Sequence, residues 1–316
     1  MDRKLAVSVQ TGHWLHRHFG EARADEALAW ISQFGFTALD LNLDSGWPSE
    51  LAAAGEVGPR YQKGVEEALE EFRPLKEALA KYDMFVGQAH STFPLWREGM
   101  DDINEALMHA VEIDCAVCQY LGCPYLVVHS LCMPDAEKEW ELNLAMYRRM
   151  IPHAKKYGVT LCLENLFNWR NGHLLVSTTT AASDACKYID TLNAEAGEEL
   201  FGFCFDAGHA NASGRNLRDD LRTLGKRVKV LHLHDNNGTS DMHLIPFTQQ
   251  HNGDANRLNT DWEGFLAGLR DIGYEGTVNF ETDSALHSVP KPLQPAMMRL
   301  IGEIGYYFRD RLLEEQ

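Results

Sequence analysis

The feature that most constrains this chain is a regular alternation of two kinds of segment. Eight short β-rich runs occupy 4–10 (KLAVSVQ), 38–43 (ALDLNL), 85–90 (FVGQAH), 125–130 (YLVVHS), 160–165 (TLCLEN), 201–206 (FGFCFD), 228–234 (VKVLHLH) and 277–282 (TVNFET). Between them, apolar residues recur at helical spacing. Ala27, Trp30, Ile31 and Phe34 form one such stripe, closed by Gly35; Ile103, Leu107, Ala110 and Val111 begin another. Further helical stretches lie near 65–82, 137–157, 178–192, 216–226 and 262–270. Gly158 and Gly273 stand where a helix end needs a left-handed residue. Every crossover is long enough to return the chain parallel and right-handed. An open doubly wound sheet would carry a G-x-G-x-x-G turn after its first strand. This chain has TGHWLHRHFG there. The pattern predicts an α/β protein with a single (β/α)8 TIM barrel over residues 1–316. An extra C-terminal helix, AMMRLIGEIGYYFRDRLLEEQ, is expected on its outside, and loops 44–63 and 235–261 are long.

Composition excludes several functions. Lys and Arg number 29 against 46 Asp and Glu, a net charge of −17. Such a chain is poorly suited to nucleic acid phosphates or an anionic membrane. No apolar run approaches the ~18 residues of a membrane span, and the apolar stretch after Lys4 is too short for a signal peptide. A cytoplasmic protein is expected. Its seven cysteines, including the C-x-x-C of Cys115 and Cys118 inside a helical stretch, are expected to be reduced thiols packed in the core.

In a closed barrel all strands point one way, so their C-terminal ends share the face where barrel enzymes place their chemistry. These ends are polar. His90, His129, Glu164 and Asp206 lie at the ends of the third to sixth runs. His232 and His234 lie in the seventh, and Glu281 in the eighth. Alternation puts His232 and His234 on one face of their strand. Asp206 opens DAGH, with His209 about one turn on, and Asp241 and His243 follow as D-x-H. One such residue is usually a hydrogen-bonded cap. Several carboxylates at one mouth repel unless a cation or proton intervenes. Imidazole mixed with carboxylate suits a first-row divalent ion, and the lack of thiolates argues against a purely structural zinc site.

The motifs LENL (163–166), CFDAGHAN (204–211), HLHDNNG (232–238), DMHL (241–244), DW (261–262) and NFET (279–282) act together. They resemble the sugar phosphate isomerase/epimerase superfamily, the xylose isomerase-like barrels that also include endonuclease IV. The resemblance implies one divalent metal held by Glu164, Asp206, His232 and Glu281. Mn2+ is the expected ion, with Zn2+, Co2+ or Mg2+ as alternatives. The family's H-x-x-D pattern selects His232, completed by Asp235, over His234. The resemblance also makes Glu164 and Glu281 the acid and base on opposite faces of the substrate, and His209 a substrate contact. The nine residues that hold three zinc ions in endonuclease IV would correspond to His90, His129, Glu164, Asp206, His209, His232, Asp241, His243 and Glu281. A nuclease is nevertheless ranked second. A DNA-binding barrel needs basic loops, and here the mouth carries isolated arginines, Arg17, Arg97 and Arg170. His90, His129, Asp241 and His243 are then expected to contact substrate or orient the carboxylates.

Two departures concern the substrate. A short P-G-x-G stretch is expected between DMHL and DW, but this chain has IPFTQQHNGDANRLNT (245–260). TDSALHSVPK, after Glu281, offers no Gly-rich phosphate cup. An unphosphorylated sugar or polyol is expected as the small-molecule partner, without nucleic acid or membrane; a homo-oligomer is left open. Aromatic faces stack on sugar rings. Candidates are His13, Trp14, His16 and His18, then Trp47, Phe93 and Trp96, then Phe167, Trp169 and Arg170. Trp14 and Trp169 are the aromatic contacts singled out.

The chemistry implied is proton transfer at a carbon beside a carbonyl, through a metal-stabilised enediolate. Return of the proton to the neighbouring carbon is isomerisation, and return to the opposite face is epimerisation. Loss of a β-substituent would make a lyase or dehydratase instead. A non-catalytic sugar-binding barrel is disfavoured because both acid/base glutamates are present.

Overall fold

The computed structural model describes residues 3–11, 23–249 and 260–314. All eight expected barrel strands form: β1 (Val7–Gln10), β2 (Ala38–Asn42), β3 (Phe85–His90), β4 (Tyr125–Val128) and β5 (Thr160–Glu164), then β8 (Phe201–Asp206), β9 (Val228–His232) and β10 (Val278–Phe280). They pair in parallel in the order β10-β1-β2-β3-β4-β5-β8-β9. A parallel bridge between Leu233 and Phe280 joins the ends, so the sheet closes into a barrel. The sequence pattern did not show the two remaining strands. β6 (Phe167–Arg170) and β7 (His173–Val176) form an antiparallel hairpin in the loop after β5. Its tip residues, Asn171 and Gly172, both take positive φ, as tight hairpin turns require.

Period two sorts the strand residues into two faces. Val7, Val9, Leu39, Leu41, Leu126, Val128, Leu161, Leu163, Phe203 and Phe205 join the main core beneath the helices. The opposite face lines the lumen, where Val127, Cys162, Cys204 and Val230 form a small apolar cluster of their own. Ser8, Asp40, Gln88 and Asn279 are buried polar residues on the remaining four strands. Two residues further along each strand come Gln10, Asn42, His90, His129, Glu164, Asp206, His232 and Glu281. The next layer up is therefore polar on all eight strands.

Gly158 and Gly273 end their helices in left-handed conformation, as their positions predict. The C-terminal helix is present as Gln294–Leu313. It follows the eighth barrel strand and seats against β1 and β10 through Gly305, where a Cβ would come within 2.3 Å of Val7. Loop 44–63 is well packed: Trp47, Arg60 and Tyr61 are buried, and Tyr61 donates to the buried carboxylate of Asp114 at 2.8 Å. Cys115 and Cys118 lie buried in the helix Asp101–Leu121. No helix among the described residues is long and apolar enough to cross a membrane.

Candidate metal centre

Barrel closure brings the polar upper layer around one point. Glu164 Oε1 lies 2.9 Å from His232 Nδ1, and Glu281 Oε2 lies 3.2 Å from the same nitrogen. Asp206 Oδ2 is 3.9 Å from it. One ligand atom from each of these four residues falls within 4.8 Å of every other. Two atoms bound to a common ion at ~2.1 Å can be at most about 4.2 Å apart, so a contraction of about half an ångström would seat an ion.

The donor chemistry fits a divalent metal. Glu164 Oε2 is buried without an aligned hydrogen-bond donor, although His129 Nε2 stands 2.9 Å away. Three carboxylates meet one imidazole with no Lys or Arg among them, a set that needs an added cation. Ahead of any ion, imidazoles supply the positive charge. Burial pushes the Glu164 carboxyl up, but His232 and His129 outweigh it and hold it well below the usual carboxylate range. Burial opposes the charged form of His232, yet the surrounding acidic groups, Glu281 and Glu164 among them, raise it well above an ordinary histidine. Glu281 moves the other way from Glu164: burial raises its carboxyl, and the attraction of His232 and His243 does not bring it back.

Besides a group in which Cys204 meets Glu164 and His232, two further groups adjoin this one. His90, His129 and Glu164 form the first, with the two ring Nε2 atoms 2.8 Å apart. Burial, with His129 beside it, lowers His90 to about 3, so the ring is neutral and free to ligate. His209, His234, Asp241 and His243 form the second. Asp241 Oδ2 lies 3.3 Å from His209 Nε2 and 3.2 Å from His243 Nε2. Burial acts against protonation of His243, but Glu281 and Asp241 carry it up to about 10. His243 sits at φ 48, a left-handed position unusual for histidine, with Nδ1 3.0 Å from the Glu281 carbonyl oxygen.

The DAGH motif now has a local explanation. Asp206 caps the short helix Ala207–Ala212, accepting from the His209 backbone N–H at 2.6 Å. A Cβ on Gly208 would lie 2.0 Å from the His234 ring, so only glycine leaves room for that imidazole. His234 in turn contacts Asp206 at 3.2 Å and stacks on His243 with ring centroids 4.1 Å apart.

A cavity of about 800 Å³ opens above these groups. Its lining includes His90, His129, Glu164, His209, Asp241, His243 and Glu281. Phe93, Trp96 and Phe167, three of the proposed aromatic residues, also line it. Trp169 does not. It lies two residues after Phe167 on β6, 47% exposed and edge-on to the Phe167 ring. Trp47 is buried instead, donating Nε1 to the Glu56 carbonyl at 2.9 Å, and packs its loop. Arg170 is exposed on the hairpin. His13, Trp14, His16, His18 and Arg17 lie outside the described residues. A second cavity, about 430 Å³, opens at the N-terminal ends of the strands, far from the histidines.

The model of one family matches residues 28–300, and its description is a xylose isomerase-like TIM barrel. The chain belongs to this family. An uncharacterized protein of Sinorhizobium fredii, y4fM, is 25% identical over 98% of this chain and 93% of its own length. MJ1311 of Methanocaldococcus jannaschii is 28% identical over 64% of this chain, and the match spans 62% of that relative. A probable endonuclease 4 of Methanoculleus marisnigri is 31% identical over 43% of this chain and 50% of its own. Among solved structures, 3-keto-D-glucoside 4-epimerase from E. coli matches with a TM-score of 0.66 at 16% identity, covering 97% of this chain and 100% of that one. D-allulose 3-epimerase from Methylomonas sp., in complex with D-allulose, matches with a TM-score of 0.67 at 16% identity over 98% of each chain.

In this xylose isomerase-like barrel several supporting residues escaped the sequence reading. Asp40 Oδ2 lies 3.2 Å from His232 Nε2, on the far side of the ring from the glutamates. Gln88 and Asn279 donate to the same oxygen at 3.0 and 2.9 Å, fixing it in the lumen. Such a carboxylate orients a ligating ring and raises its basicity. Asn165 exchanges two 2.8 Å hydrogen bonds with the Asp206 backbone, and Gln10 donates to Glu281 Oε1 at 2.7 Å. Asp235 belongs to none of the metal-competent groups among the described residues. It accepts from Thr260 Oγ1 at 2.7 Å and the Phe247 N–H at 3.1 Å, and so organises the loop after β9. The available signal was strand parity: Asp40, Gln88 and Asn279 each lie two residues before a mouth residue on their own strand.

Proposed function

We propose that the protein is a metal-dependent isomerase or epimerase acting on a keto-sugar or related polyol derivative. The observation that carries this reading is the convergence of Glu164 and Glu281 on His232 Nδ1, at 2.9 and 3.2 Å, in the floor of an open cavity. A divalent ion held by Glu164, Asp206, His232 and Glu281 would polarise a substrate carbonyl. The two glutamates come from strands well separated around the barrel, β5 and β10, so a substrate between them presents a different face to each. Their environments push their carboxyls in opposite directions, Glu164 down and Glu281 up. Such a split suits one to accept a proton from carbon and the other to return it. His90, His129, His209, Asp241 and His243 line the cavity and supply donors and acceptors for hydroxyl groups. The 3-keto-glucoside and allulose epimerases that share this fold act on substrates of the same kind. Expulsion of a β-substituent from the same deprotonated species would make the enzyme a lyase. Within this proposal Mn2+ is the preferred ion, residues 1–316 act as one barrel, and the protein works in the cytoplasm.

The test is metal analysis of the purified protein with a screen of ketoses and inososes for solvent deuterium uptake. Exchange into one carbon, dependent on metal and on both glutamates, supports the proposal. Metal-loaded protein that exchanges none of them contradicts it. A second reading has its own observation. The His90/His129/Glu164 group, which shares Glu164 with the central one, and the His209/His234/Asp241/His243 group would offer donors for two more ions. Three zinc ions per chain, with nicking of abasic DNA, would favour a phosphodiesterase, in line with the 31% identity to a probable endonuclease 4.

A further inference from the structure

Among the described residues, the cavity wall contains one cationic side chain apart from its histidines. Of the described lining residues, Asp44, Glu98, Glu164, Asp241 and Glu281 are acidic, and Arg97 alone is a Lys or Arg. Arg97 lies in the loop after β3, between Trp96 and Glu98. Its backbone is held at both polar atoms by buried Asn104, which accepts from the Arg97 N–H at 2.7 Å and donates to its carbonyl at 2.8 Å. The residue is thus set in place by its main chain while its side chain has no partner among the described residues. Arg97 Nε is buried and makes no hydrogen bond. The adjacent carboxylate that could neutralise it, Glu98, pairs with Lys138 at 3.0 Å instead. Arg148, Arg215, Arg227 and Arg311, by contrast, each grip a carboxylate within 2.8 Å.

A partly buried guanidinium with an unmet N–H is costly unless an acceptor arrives. Its planar fork matches a carboxylate or phosphate better than it matches a hydroxyl. We propose that Arg97 anchors an anionic group, a carboxylate or a phosphate, on the substrate of this cavity. The proposal rests on the keto-sugar reading and narrows it from sugars in general to acidic ones. It also alters the expectation of a neutral substrate. That expectation rested on the lack of a Gly-rich backbone cup, whereas a guanidinium recognises an anion by side chain.

The test compares three ketoses that differ only at carbon six: fructose, fructuronate and fructose 6-phosphate. Each is titrated calorimetrically into metal-loaded wild type, Arg97→Ala and Arg97→Lys, with metal content and melting temperature as controls on the fold. The expected result is tighter binding of at least one anionic ketose than of fructose, by ~10–100-fold, the range of a charge-assisted pair. That margin collapses in Arg97→Ala and is partly kept in Arg97→Lys. Preference for fructuronate identifies a carboxylate, and preference for fructose 6-phosphate identifies a phosphate. Equal binding of all three, or a margin that survives Arg97→Ala, overturns the proposal. Inorganic phosphate and acetate are titrated alongside. If no ketose binds, the keto-sugar reading fails; anion binding that Arg97→Ala abolishes still upholds the anchor, and its absence overturns the anchor too.

Discussion

Asp40→Asn isolates the contribution of a residue that touches no substrate. Asp40 Oδ2 lies 3.2 Å from His232 Nε2, while Nδ1 of that ring faces Glu164 and Glu281. Two unit charges at that distance interact by about 5 kcal/mol at an effective dielectric of ~20. A metal-bound imidazole is neutral and carries only a fraction of that charge at its outer N–H. The loss should therefore fall in the ~10–100-fold range found when a carboxylate behind a ligating histidine is removed, about 1.4–2.8 kcal/mol. Asparagine keeps the volume but loses the charge facing His232 and brings an amide N–H into a place where Gln88 and Asn279 already donate, so one buried donor is left unmet at a cost of ~1–3 kcal/mol of stability. The assay is competition for metal against a chelator of known affinity, with thermal unfolding of the metal-free protein measured in parallel. Metal affinity within about two-fold of wild type, alongside a lowered melting temperature, would refute the argument. Asp40 would then be part of the lumen packing and not a support for the ring.

Glu164→Gln and Glu281→Gln should each lower deuterium exchange into a ketose by at least ~10²–10⁴-fold with the fold retained; near-normal exchange in either variant excludes that residue as an essential acid or base. Replacing His90 or His129 by Ala should weaken substrate binding or turnover while leaving one metal per chain, and a fall from three ions to two would instead favour the three-metal arrangement. Metal uptake should release protons near neutral pH, because His209, His232 and His243 are held protonated by their acidic neighbours in the ion-free protein. Calorimetry in buffers of different ionisation enthalpy measures this, and identical heats in all buffers would contradict it. Stability of the ion-free protein should run the other way. His243 is raised from 6.5 to about 10, so its contribution is complete below about pH 6.5 and lost as pH rises through about 10. Urea midpoints of ion-free protein that do not fall between pH 7 and 10 would count against that assignment.

Some of this protein is legible in its residues taken in order. The eight β-rich runs and their helical spacers predict a closed parallel barrel, because each run is short, apolar and separated by a crossover long enough for a helix. The polarity of the strand ends is equally local. His90, His129, Glu164, Asp206, His232 and Glu281 stand at the ends of their runs, and alternation with period two puts His232 and His234 on one face of theirs. Family resemblance, not spacing, separated His232 from His234, and it left the support of either ring unseen. Tertiary structure decided the remainder. Asp40 meets His232 and Asn279 across the lumen, and Arg97 loses its neighbour Glu98 to Lys138, forty residues further along the chain. The loop after β5 also folds back as a hairpin, bringing Phe167 to the cavity and leaving Trp169 outside it. A strand's own pattern states which face a side chain takes, but barrel closure and stagger set which partners it meets there. Those partners are drawn from strands tens to hundreds of residues apart, so no local window contains them.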